Sequence, residues 1–226
     1  MAEFDFQKFL ETPIEAFDFQ FMIGDVKDYL EFSESNIDLQ YRRELQVIES
    51  SKDLDDFQPG YRDHLEQNVE HRFKVSLPLR VRYGALLAFT TSVEWAVHYL
   101  NQNAVSLVSD SRDGINFTVK ALRQFATQAG VDANAVIDDY EALVQVRNCI
   151  THTAGIVETY RFKETLPDAV SRIDGVTLAS WHFFGDQVCI ERGALEPHID
   201  RAAKLVITLH SAMRERGLFK GCRSDM

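Results

Sequence analysis

The sequence predicts an all-α fold with a helical N-terminal extension and one small β-hairpin before the last helix. Three observations predict it. Apolar residues recur at three- and four-residue spacing over most of the 226 residues. Gly and Pro interrupt that spacing at only a few points, so the periodic segments are long. The period changes once, after residue 170, to a short β-branched and aromatic run.

Taken in order, Pro13 is followed by Ile14, Phe17, Phe21, Val26, Tyr29 and Leu30 at helical spacing, and Leu39, Tyr41, Leu45 and Ile48 repeat it. Acids with Pro59 and Gly60 place a turn between Asp53 and Gly60, and a polar helix follows from Tyr61 to Val75. Pro78 opens a different regime. From Leu79 to about Leu107 the chain is apolar on most of a helical circumference, the mark of a helix buried on most sides. Ser109-Asp110-Ser111 is a loop with capping character. Asn116 to Ala129 is a helix with Phe117, Val119, Leu122 and Phe125 as its stripe, ended by Gly130. Asp132 starts another, carrying Val136, Ile137, Tyr140, Leu143, Val144 and Val146, and Gly155 stops or bends it. Gly175 to Phe184 and Gln187 to Glu191 read as a hairpin with its turn at Gly185-Asp186. Pro197 opens a last helix to about Arg216, and the tail from Gly217 to Met226 is expected to fray.

Hydrophobic residues make up 45% of the chain, enough for a sizeable core, and no apolar run approaches the ~20 residues of a membrane helix. The opening Met1-Ala2-Glu3-Phe4-Asp5-Phe6 is acidic and aromatic, unlike a secretory leader, so a cytoplasmic protein with no membrane attachment is expected. The three cysteines, Cys149, Cys189 and Cys222, are widely separated and form no CxxC pair, which reads as reduced thiols. The net charge of −11 counts against a nonspecific nucleic-acid binder. It leaves room for an enzyme whose positive charge is confined to one cleft.

One stretch reads as chemistry: Arg147-Asn148-Cys149-Ile150-Thr151-His152, then Thr153-Ala154-Gly155. Cutting RNA through its own 2′-hydroxyl requires a proton acceptor, stabilisation of charge at phosphorus, and a proton for the leaving oxygen. Histidine exchanges protons near neutrality. Arginine offers a planar, permanently charged fork to a phosphate. Asn148 suits holding a phosphate oxygen or orienting the histidine, and Thr151 and Thr153 add hydroxyls. On a regular helix five residues turn through about 500°, which sets Arg147 and His152 ~140° apart. A kink near Gly155 or a twofold dimer brings them together. In the plain structural alternative Arg147 makes a surface salt bridge and His152 caps a helix C-terminus. Arg192 and His198 show a similar loose spacing, but Gly193 and Pro197 lie between them.

The segment Leu143 to Gly155 resembles the signature of the HEPN superfamily, an arginine followed by a polar residue and then a histidine four to six residues on. Arg147, Asn148 and His152 match it residue by residue. The run from Arg80 through Ser92-Val93-Glu94 resembles the long early helix of bacterial members, and Val188 to Leu209 resembles their C-terminal part. The resemblance covers about residues 75–212. It implies a bundle of four to five helices in a domain at 75–216, with residues 1–74 as an N-terminal helical extension and 217–226 as a flexible tail. It also implies a homodimer with both motifs at a shared cleft. The activity implied is metal-independent RNA cleavage in toxin–antitoxin or antiphage settings, with no cofactor. Other members are catalytically silent, so the alternative is an inactive helical dimer that acts as an RNA-binding or protein-interaction module; an antitoxin or other protein partner is also implied. Some active subfamilies place an acid before the arginine and a basic residue beside it. Here Glu141 is only near that position, and Val146 takes the neighbouring one.

Other residues are weighed beside the motif. Glu94 and His98 lie one turn apart, and Glu94 is placed to orient Arg147 or His152, or to pair within the core. Arg80 and Arg82 are candidates for an RNA groove, or else solvated or paired. His64 and His71 lie among acids, without the spacing of a metal site. Trp181, Phe183 and Phe184 either stack on bases or pack the hairpin on the bundle.

Overall fold

A computed structural model describes residues 14–51, 59–109, 116–182 and 185–220, without the side chains of 14–17 and 181–182. It shows a helical bundle with a two-stranded hairpin ahead of the last helix. The first helix, α1 (Ile14–Ser50), runs unbroken for 37 residues. It buries Phe19, Ile23, Val26 and Leu30 at spacings of three and four, so one stripe faces inward. That stripe belongs to the same apolar cluster as the rest of the bundle. The cluster also takes in the central helix, so the N-terminal extension packs as part of the core. Each such side chain, fully buried, stabilises by about 1.5–3 kcal/mol.

The polar helix α2 (Tyr61–His71) does not end before Pro78. It passes through a π-helical turn, Arg72–Ser76, straight into α3 (Leu77–Asn103). Pro78 has no N–H, and its ring collides with the carbonyl four residues back in a regular helix. The extra residue of the π turn absorbs this conflict, with the Leu77 N–H reaching back to the Arg72 carbonyl. The boundary expected near residue 75 is therefore a local widening of one continuous rod. Phe73, at the widening, is buried and its ring lies 6.1 Å from that of Tyr41.

α3 is buried along Tyr83, Leu86, Phe89, Val93, Val97 and Leu100, and α1, α4 (Phe117–Ala129), α5 (Asn134–Thr153) and α7 (Glu196–Glu215) pack around it. Asn116 caps α4, its side chain accepting from the Thr118 and Val119 N–H groups at 2.9 and 3.3 Å. Gly130, with φ of 64°, closes α4. A six-residue helix, α6 (Leu166–Ser171), has Pro167 in its first turn and is too short to show a clear period in the sequence. The hairpin pairs β1 (Val176–His182) with β2 (Gly185–Ile190) from Val176 opposite Ile190 to His182 opposite Gly185. Gly185 and Asp186, expected as the turn, thus belong to β2; the turn residues 183 and 184 lie outside the described residues.

Past α7 the chain is held as far as Lys220, contrary to the loose tail expected from Gly217. Leu218 accepts from Val105 N–H at 2.8 Å, the Lys220 N–H donates to the Asn103 carbonyl at 2.8 Å, and Phe219 is buried. Residues 221–226 lie outside the described residues, as do 1–13, most of the 53–60 turn, and Asp110 and Ser111.

Candidate functional site

The last two turns of α5 carry Arg147-Asn148-Cys149-Ile150-Thr151-His152, and the helix stays regular through Thr153. A kink does not bring Arg147 and His152 together within one chain; they keep their ~140° of separation. The intervening positions fill that arc. Thr151 stands ~40° from Arg147, and Asn148 and His152 are one turn apart on a shared face. The other side of the helix, with Val146, Cys149 and Ile150, is buried. Alternation of buried and polar positions over six residues thus turns all four motif side chains toward one half of the helix.

Arg147 is half-buried and fixed at two points. Its Nη2 donates to Oε1 of Glu94 on α3, and its Nη1 donates to Oδ1 of Asn148 at 3.1 Å. A guanidinium has five N–H donors, so the pairing leaves capacity for a further acceptor. Close to the pair is Tyr140, one of the largest fully buried side chains. Burial pushes its hydroxyl well above the ordinary range; the Glu94 carboxylate adds to this and the Arg147 charge opposes it. Thr151 Oγ1 donates to the Arg147 carbonyl at 2.8 Å, and Thr153 Oγ1 to the Cys149 carbonyl at 2.7 Å. Thr151 therefore presents an acceptor, not the donor its hydroxyl suggested. His152 is exposed in the final turn, and its ring has no hydrogen-bond or ion-pair partner among the described residues.

The helix end behind the motif is built tightly. Ala154 (φ 54°) and Gly155 (φ 84°) turn the chain left-handed, and β2 grips it there. Gln187 Nε2 donates to the Ala154 carbonyl at 3.0 Å, Val188 N–H to the Gly155 carbonyl at 2.9 Å, and Val157 N–H to the Asp186 carbonyl at 2.9 Å. Tyr83 on α3 donates its hydroxyl to the Val188 carbonyl, and a Cβ at position 155 would lie 2.3 Å from that hydroxyl oxygen. Only glycine fits both the backbone angle and the space. Gly155 was legible as a stop; its contact with a tyrosine 72 positions earlier was not.

The remaining candidates separate from the motif. Arg82 is not available to a groove: it donates to Glu34 Oε1 at 2.7 Å and to the Ile190 carbonyl at 2.8 Å, tying α1 to β2. Arg80 is exposed. Glu94 turns to Arg147, while His98 stacks on Phe117 with ring centres 4.8 Å apart. His64 sits 3.0 Å from Asn68, His71 sits 3.3 Å from Ser76, and no group of three potential metal ligands is found among the described residues. Arg192 pairs with Glu34 and Asp38, whereas His198 is buried and accepts from Arg201 at 2.9 Å. Phe183, Phe184 and the Trp181 side chain lie outside what is described. No helix among the described residues is long and apolar enough to cross a membrane.

No protein-family model matches the chain, and no curated protein or solved structure matches it. The site therefore stands on its own geometry.

Proposed function

We propose that this chain is a metal-independent endoribonuclease of the HEPN type, cutting RNA by attack of a 2′-hydroxyl on the neighbouring phosphorus. The observation that supports it is a fixed Arg147 guanidinium with donors to spare, on the same helical half as a solvent-facing His152. The His152 imidazole takes the 2′-hydroxyl proton. The oxygen bonds to phosphorus, and the bond from phosphorus to the 5′-oxygen breaks as that oxygen takes up the proton that His152 removed, passed on through solvent. The products are a 2′,3′-cyclic phosphate and a 5′-hydroxyl end. Arg147 holds the non-bridging oxygens where negative charge builds, and Glu94 and Asn148 are its positioning residues. The angular separation on α5 favours a twofold pair of chains, in which two motifs face each other and pool their positive charge. A protein of this kind fits toxin–antitoxin or antiphage defence, under control of a partner.

One observation favours a second reading. Glu94 compensates the Arg147 charge, as suits a silent helical dimer that binds RNA or a protein partner. Mixed RNA incubated in EDTA with the wild-type protein and with Arg147→Ala and His152→Ala decides between them. Cutting that disappears in both variants supports the enzyme. No cutting of any RNA by a folded dimer supports the silent module.

A further inference from the structure

Eight residues beyond α5 the chain forms a loop that carries an exposed aromatic ring beside two cations. Phe162 is 55% exposed, one of the largest apolar side chains left open to water among the described residues. The Arg161 guanidinium lies over its ring, 5.2 Å from the centroid, and Arg161 makes no ion pair among the described residues. The buried Tyr160 meets the same ring edge-on, at 5.9 Å and 73°. Lys163 follows in sequence and pairs with Glu158 at 3.3 Å. An exposed ring held between a tyrosine ring and a guanidinium offers apolar surface for stacking.

The loop is bound to the motif helix. The Ile156 N–H returns to the Thr153 carbonyl at 3.0 Å, and Tyr160 N–H to Val157 at 2.9 Å, so the chain does not stray after the helix ends. Tyr160 packs back toward Cys149, the residue after Asn148: burial raises its hydroxyl pKa, and the nearby Cys149 thiol adds to the rise. Tyr160 thus links the exposed ring of Phe162 to the buried side of the motif helix.

We infer that Arg161, Phe162 and Lys163 form a binding platform for single-stranded RNA on the loop that follows the motif helix, with a base stacked on Phe162 and the flanking phosphates met by the two cations. This rests on the ribonucleic-acid reading of the site and adds the strandedness of the substrate. A ring takes a base only when the base is unstacked, so a duplex is excluded. Stacking tolerates every base, so the platform grips without selecting a sequence. Glu158 and Glu164 flank the cations, which keeps the electrostatic share small and places most of the grip on the ring.

The test is binding by full-length protein carrying His152→Ala, which prevents turnover, to a fluorescent 12-nucleotide single-stranded RNA. The expected result is Phe162→Ala weakening the affinity ~10-fold, Phe162→Trp keeping it, and Arg161→Ala weakening it a few-fold, with a duplex of the same sequence binding far less. An unchanged affinity in Phe162→Ala, equal binding of the duplex, or no binding of the single strand by the folded protein each overturns the inference. Cleavage with 2′,3′-cyclic ends tests the catalytic reading separately, so the two can fail independently.

Discussion

Glu94 and Arg147 form an ion pair between α3 and α5, 53 positions apart in sequence, close enough to the buried Tyr140 for both charges to act on its hydroxyl. The pair does two things at once. It joins the central helix to the motif helix, and it holds a guanidinium at a defined place on a surface of net negative charge. Both side chains are less than one-third exposed, so solvent screens the pair only in part.

Glu94→Ala is therefore expected to lower stability by about 1–2 kcal/mol and leave Arg147 charged but unplaced. In a double-mutant cycle by urea unfolding, Glu94→Ala and Arg147→Ala should couple by roughly 1 kcal/mol. Additive losses would show that the pair contributes nothing beyond its separate side chains.

The motif's rear support predicts a larger effect. Gly155→Ala places a Cβ at a φ of 84° and against the Tyr83 hydroxyl. The expected cost is about 2–4 kcal/mol, from left-handed strain and collision together. Adding Tyr83→Phe removes the hydroxyl but not the ring behind it, so partial recovery of the unfolding midpoint is expected. A neutral Gly155→Ala would mean that the helix end is looser than described.

How much of this was legible beforehand differs by residue. The helices of residues 116–129 and 134–153 and the closing helix were legible because amphipathic spacing and end signals such as Asn116, Gly130 and Gly155 are local. Glu94 was legible as a partner for Arg147 only through its helical position, because the pairing depends on how two helices pack. Pro78 pointed to a helix break where the helix runs on, because a π turn accommodates it without any signature in composition. Arg82 and Arg80 read alike in sequence, yet one is bound to Glu34 and the other is exposed. Exposure of Phe162 was not legible either, since a lone aromatic between charges is as readily half-buried.

The buried Glu34 gives a third prediction. It is satisfied by Arg82 at 2.7 Å and Arg192 at 2.8 Å. Arg82→Ala leaves the carboxylate with one exposed partner and should cost about 2–3 kcal/mol, whereas Arg192→Ala should cost less than 1 kcal/mol. Thermal unfolding of the two variants measures the difference.

His198 gives a prediction about pH. Burial lowers its pKa, with the Arg201 charge acting in the same direction and Asp139 and Asp174 opposing. The native state therefore binds this proton less readily than the unfolded chain, whose histidine titrates near 6.5. As pH falls through about 6.5 the unfolded state gains the proton first, and stability drops until the folded pKa is passed. Denaturation curves between pH 5 and 7.5 should show this slope in the wild type and a smaller one in His198→Asn. An identical slope in both would assign it to other groups.

The central claim is that Arg147 and His152 cut RNA through its 2′-hydroxyl. The most direct test is the chemistry of the ends, read by mass spectrometry after incubating RNA with the full-length protein in EDTA. The account predicts 2′,3′-cyclic phosphate and 5′-hydroxyl ends from the wild type and none from His152→Ala. Ends bearing 5′-phosphate, or equal cutting by His152→Ala, would contradict it.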